Sequence, residues 1–219
     1  MAEKAIRAKG MGLKQLLAKK YKELPNLPEK ITNSFGELTQ QILMIIYGAS
    51  GNGKSRLVME MIKPLMEHGN VLYWGLEEGH RKTMQKNAKE TLNPDDHSGK
   101  IIFFDHTLTL EGLREILKKK KSPWLVVMDS LQYARMTIEE YKRLKEDFPN
   151  KGFIFISHNS GKKPMGKLAV DIEFDVDIKV RVEGYIAFVK SRYGGNKPYV
   201  IWEEGARKYW GKKFRNIIK

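Results

Sequence analysis

The chain has 219 residues, 41% of them hydrophobic, enough for one compact core without a second domain. It has no cysteine, which excludes disulfide stapling and thiolate-ligated zinc; with no long apolar stretch and no signal-like N-terminus, a cytoplasmic protein without membrane association is expected. Its 40 basic and 26 acidic side chains leave a formal charge of +14, a surface that suits a polyanion such as nucleic acid, or that only keeps lysine-rich helix faces solvated.

In chain order, residues 1–38 read as a basic N-terminal extension with a helix around Gly12–Lys22, then Pro25 and Pro28, a segment able to pack on a neighbour. Residues 39–205 read as the core. Short apolar runs rich in β-branched and aromatic residues predict strands at Ile42–Tyr47, Val71–Leu76, Ile101–Phe104, Trp124–Met128 and Phe153–Ile156. Helical stretches at Arg56–Met66, Arg81–Leu92, Leu110–Lys121 and Thr137–Asp147 separate them. Such alternation predicts an α/β fold, a mainly parallel sheet flanked by helices. After residue 174 the texture changes to Val176–Val182, Tyr185–Ser191 and Tyr199–Trp202, broken at Glu183-Gly184 and Gly194-Gly195, which predicts antiparallel strands at the sheet edge. Residues 206–219 form a basic, aromatic tail.

Between the first strand and helix lies Gly48-Ala49-Ser50-Gly51-Asn52-Gly53-Lys54-Ser55, which matches the phosphate-binding pattern G-x-x-x-x-G-K-[ST] at every fixed position. Glycines let successive backbone N–H groups converge on phosphates, and the following helix, opening at Arg56, directs its positive end there. This segment is expected to bind ATP, with Lys54 solvent-facing until it reaches the terminal phosphates and Ser55 holding Mg²⁺. The strand Trp124–Asp129 ends in a carboxylate, the residue type that holds Mg²⁺ through water in nucleotide hydrolases. After the second strand stand Glu77 and Glu78, either of which can activate a water as general base; Glu77 is the first choice, and an acidic helix start is the alternative.

These features together resemble the RecA superfamily of ATPases, especially the RadA/Sms, DnaB-type helicase and KaiC branches, over roughly residues 40–204. Phe153-Ile-Phe-Ile-Ser157-His158-Asn159 resembles the strand end with which they sense the terminal phosphate, histidine being the RadA/Sms choice. Lys190-Ser-Arg192-Tyr-Gly194 resembles the Lys-x-Arg segment of those families, which implies cations reaching the nucleotide of an adjacent subunit; a solvated strand face is the plain alternative. The chain lacks the zinc module and protease-like domain of RadA/Sms and the primase-binding domain of DnaB, so a minimal, phage-like or mobile-element member fits better than a full cellular role.

The resemblance also implies channel-facing loops after the fourth and fifth strands. These carry Tyr133 and Arg135, and Lys162, Lys163 and Lys167, suited to a DNA backbone; a basic surface loop is the alternative. The tail Arg207–Arg215 interleaves cations with aromatics, either to stack on bases or to anchor on the core through Trp210 and Phe214. The expected function is a DNA-dependent ATPase, a helicase or branch migration motor on single-stranded or branched DNA, working as a hexameric ring or filament. An ATP-dependent scaffold, recombination mediator or KaiC-like regulator without translocation is the other reading.

Overall fold

A computed structural model describes residues 10–218, so the start of the basic extension, residues 1–9, and residue 219 of the tail lie outside the described residues. Its centre is an eight-stranded sheet built from β1 (Leu43–Gly48), β2 (Val71–Gly75), β3 (Ile101–Phe104), β4 (Leu125–Asp129), β5 (Gly152–Ser157), β8 (Ile178–Glu183), β9 (Ile186–Ser191) and β10 (Tyr199–Val200). The order across it is β10-β9-β8-β1-β5-β4-β2-β3. From β8 to β3 neighbours run parallel, whereas β9 pairs antiparallel with β8 and β10 with β9, as the late hairpin texture predicts. Two short strands, β6 (Asn159–Ser160) and β7 (Lys163–Pro164), make a separate hairpin.

Both faces of the sheet are covered, which is why the central strands read as continuous apolar runs rather than alternating ones. Met44, Ile46, Tyr73, Val127 and Ile154 face α2 (Glu29–Phe35) and α3 (Lys54–Leu65), with Met84 of α4 (Lys82–Thr91) at the margin. Ile45, Tyr47, Trp74, Met128 and Phe155 face α6 (Leu110–Lys118), α7 (Ile138–Asp147) and α8 (Lys167–Asp175). The capping box of Thr137 with Glu140 starts α7 where the sequence predicts it.

Four differences from the sequence reading have physical causes. Only Leu13–Leu17 of the expected Gly12–Lys22 helix forms, as α1, because none of its side chains is buried and a short helix without tertiary contacts is marginal. Helix α5 (Pro94–His97), opened by the Asn93 side chain, is one turn long and carries no periodic signal. Helix α8 is not predicted by the sequence pattern: Val170, Ile172 and Phe174 alternate like a strand, yet the helix buries Ala169 and Ile172, three apart, and leaves Phe174 exposed. The last strand stops at Val200, because Trp202 is the N-cap of α9 (Glu203–Trp210) and Glu203 and Glu204 favour a helix start. The last helix is α10 (Phe214–Ile217). Among the described residues, no helix is long and apolar enough to cross a membrane.

Candidate functional site

The chain leaves β1, passes over β5 and β4 to β2, and returns later to place β8 on the other side of β1. Open α/β sheets bind ligands beyond the carboxyl ends of strands at such a reversal. Register brings the right residues to that edge: Gly75 is opposite Asp129, Asp129 opposite Ile156, and Tyr47 opposite Ser157. The phosphate loop, Glu77, Asp129 and His158 therefore follow the ends of four strands that are neighbours in space.

They line one cleft of about 590 Å³, together with Ser50, Gly51, Gly53, Lys54, Ser55, Arg56, Glu78, Thr83, Lys86, Asn87, Glu90, Tyr185 and Trp202. Gly53, at φ 98°, is the N-cap of α3, and no side chain caps this helix, so its first-turn amides face the cleft for a ligand to satisfy. Arg56 sits at the rim, paired with Glu60 at 3.1 Å. Gly48 ends β1 and Ala49 is exposed beyond it.

Lys54 lines the cleft half-buried, where the sequence reading expects a side chain that faces solvent freely. Its Nζ donates to the carbonyls of Gly48 at 2.8 Å and Ala49 at 3.1 Å, folded over its own loop. Burial lowers the pKa of this ammonium, against the pull of the nearby Asp129 and Glu77 carboxylates.

Asp129 accepts a hydrogen bond from the Tyr73 hydroxyl at 2.5 Å. Burial raises its pKa to about 6; the Tyr73 hydroxyl and Lys54 lower it, and Glu77 and Glu78 add to the rise. Glu77 and Glu78 point to different partners. Glu77 Oε2 lies 3.0 Å from His158 Nε2 and accepts from the Ser130 hydroxyl at 3.1 Å, while Glu78 accepts from the Thr83 hydroxyl at 2.8 Å. The pairing of Glu77 with His158 and Ser130 sets it among the other site residues. Ser130, Tyr73 and Thr83 are missed by sequence reading, and no local pattern singles them out.

The donor set suits a nucleotide with Mg²⁺: uncapped amides and a lysine for phosphates, and a hydroxyl and a carboxylate, Ser55 and Asp129, for a hard cation completed by phosphate and water oxygens. Among the described residues, no cluster of three or more His, Cys, Asp or Glu side chains could hold a metal without such help.

Lys190 and Arg192 are not in this cleft. Ser191 pairs with Ile178, and Ile178 with Met44, at the far end of β1 from Gly48. Four residues of strand separate that row from the phosphate loop, roughly 13 Å. Arg192 pairs with Asp177 at 3.1 Å and Lys190 is exposed.

The two candidate DNA loops are joined. Gln132 donates to the Ser157 hydroxyl at 2.8 Å and to the Met165 carbonyl at 2.8 Å, and accepts from the His158 amide at 3.1 Å. It thereby ties the Tyr133–Arg135 loop to the β6–β7 hairpin. Tyr133, Arg135, Lys162 and Lys163 are exposed, Lys167 opens α8, and none of the four cations has an acidic partner among the described residues.

The basic tail is anchored rather than free. Phe214 is buried and Trp210 packs edge-on against Phe188 at 5.8 Å between centroids, the second of the two arrangements the sequence allows.

Fold and site together define an α/β protein of RecA-like architecture with a phosphate-binding loop at the strand ends. The crystal structure of the flagellar accessory protein FlaH from Methanocaldococcus jannaschii is similar, with a TM-score of 0.55 and 12% sequence identity over 78% of this chain and 88% of that chain. No protein-family model and none of the curated proteins compared matches the chain.

Proposed function

We propose that the protein is a Mg²⁺-dependent ATP hydrolase. The observation that carries this is the convergence of Lys54, Ser55, Asp129, Glu77 and His158 on one cleft from four strand ends. Lys54 exchanges its loop carbonyls for the terminal phosphates, a swap of one set of oxygen acceptors for a charged one that strengthens its hydrogen bonds. Ser55 and Asp129 would hold Mg²⁺, which would supply charge neutralisation to the phosphates. Glu77 orients and deprotonates the attacking water, and His158 and Ser130, both on its Oε2, hold the carboxylate in one rotamer. Glu78, turned toward Thr83, is the less suited base.

The same reading extends to DNA. The joined loops with Tyr133, Arg135, Lys162, Lys163 and Lys167 supply unpaired cations and an exposed ring, the combination that follows a single strand without reading sequence. In this reading the protein assembles as a ring or filament, with Lys190 and Arg192 serving a neighbour's nucleotide, and works on single-stranded or branched DNA in the cytoplasm. The second reading is an ATP-dependent scaffold that translocates nothing, and the fold shared with FlaH is compatible with both.

One measurement separates them: ATPase rate with and without single-stranded DNA, with the mass of the assembled particle. Stimulation that fades with added salt supports the DNA reading, and a DNA-indifferent rate supports the scaffold. Lys54→Ala abolishes hydrolysis in either case; wild-type turnover in that variant refutes the hydrolase assignment.

A further inference from the structure

Helix α9 reaches the phosphate loop through a single glycine. The amide of Gly184, in the turn between β8 and β9, donates to Asn52 Oδ1 at 2.7 Å. Its carbonyl accepts from the indole N–H of Trp210 at 3.1 Å. Gly184 has φ 52°, and the Tyr209 ring of α9 occupies the space where a Cβ would stand, so only glycine fits between the two partners.

Both ends of this bridge are held. Asn52 Nδ2 makes long contacts to the carbonyls of Ala49 at 3.4 Å and Ser50 at 3.3 Å, so the short bond to Gly184 sets its orientation. Trp210 rests on Phe188, and its helix is pinned by buried Ala206 and, from α10, by buried Phe214 beneath Arg207. Beside the bridge, a Cβ on Gly53 would lie 3.3 Å from Ile201 and 3.5 Å from Tyr185, so the β10–α9 junction backs the loop as well. Asn52 occupies one of the four variable places in the phosphate pattern, where phosphate binding itself demands no particular side chain.

We propose that Asn52, Gly184 and Trp210 form a relay that positions the phosphate loop, which makes α9 and α10 a working part of the nucleotide site. The proposal rests on the nucleotide reading above and adds a residue and an element to it. Asn52 is a positioning residue: the loop holds its amides in one arrangement because its apex is braced from behind, and a braced loop loses less entropy when phosphates order it.

The test uses the full chain as wild type, Asn52→Ala, Trp210→Phe and the double variant. Calorimetry measures binding of a non-hydrolysable ATP analogue with Mg²⁺, and circular dichroism checks the fold. Asn52→Ala is expected to weaken binding about fivefold, and Trp210→Phe by about three- to fivefold, the worth of one hydrogen bond each. The double variant binds within about twofold of Asn52→Ala, since either change cuts the same relay. Penalties that multiply in full, or variants that bind as wild type does, overturn the relay while leaving the nucleotide site standing. Absence of wild-type binding overturns both.

A spectroscopic readout distinguishes positioning from simple support. With saturating analogue, the part of the indole-emission shift that Trp210→Phe removes belongs to Trp210, since Trp74, Trp124 and Trp202 emit in both chains, and that part disappears in Asn52→Ala. An equal shift with and without Asn52 refutes the relay. Should Trp210→Phe fail to fold, Asn52→Ala still decides, because its side chain lies at the rim of the fold and not in a core.

Discussion

Glu77 and Glu78 differ by one position in sequence and by an entire set of neighbours in space. Glu77→Gln is expected to keep ATP affinity within about threefold while turnover falls at least a hundredfold, since the amide keeps the shape but cannot accept a proton. Glu78→Gln retains most of its turnover. Single-turnover kinetics on both variants check this, and loss of turnover in Glu78→Gln alone would reverse the assignment. Asp129 carries a cost of burial. Its pKa is raised from 3.8 to about 6 in the folded chain, so the fold binds that proton more tightly than the unfolded chain does. Stability from this group is therefore highest at low pH and declines as pH rises through 3.8 to about 6, with the full cost above that. Asp129→Asn removes the charge and keeps an acceptor for Tyr73; at pH 7.5 it stabilises the nucleotide-free protein by roughly 1–2 kcal/mol and abolishes Mg²⁺-dependent hydrolysis. Thermal melts from pH 4 to 8 show the gain opening between pH 4 and 6. A variant less stable than wild type at pH 7.5 would refute the buried-charge account.

At the scale of elements, the β6–β7 hairpin and the loop after β4 act as one unit through Gln132, so a change in either is felt by His158 at the end of β5. Lys162 and Lys163 stand at the hairpin tip, away from that clamp. Lys162→Glu with Lys163→Glu is expected to lower single-stranded DNA affinity at least tenfold and to flatten the salt dependence by about one to two units of slope, about 0.7 for each phosphate no longer neutralised. Fluorescence anisotropy of a labelled oligonucleotide across a salt series measures both. Unchanged affinity and slope would assign the hairpin to an ordinary basic surface.

For the whole molecule, one copy holds its phosphate loop and its Lys190–Arg192 segment at opposite ends of the same sheet. A role for those cations in hydrolysis requires a second copy. Arg192→Ala is expected to bind ATP nearly normally and to hydrolyse it poorly, because the missing charge matters mostly in the transition state. Mixing Arg192→Ala with Glu77→Gln subunits restores part of the ATPase rate, at interfaces that join an intact glutamate to an intact arginine. No recovery in a mixture shown to co-assemble would leave Arg192 with its observed role, the pairing with Asp177.

What the sequence by itself determined was the phosphate-loop pattern, the five parallel strands β1 to β5 and the antiparallel late strands, because these rest on local signals: fixed glycine spacing, continuous apolar runs and turn residues. Helix α8 and the end of β10 escaped it, since Val170, Ile172 and Phe174 alternate like a strand and a helix start at Trp202 depends on packing beyond the local pattern. Only the tertiary structure decided that Lys54 folds onto its own loop, a matter of how the glycine-rich turn closes. It also decided that Glu77 rather than Glu78 meets His158, that Tyr73 and Ser130 support the site, and that the aromatic tail grips Gly184. These last pairings join residues well separated in the chain, and such pairings are set by strand order and register, which no stretch of sequence displays on its own.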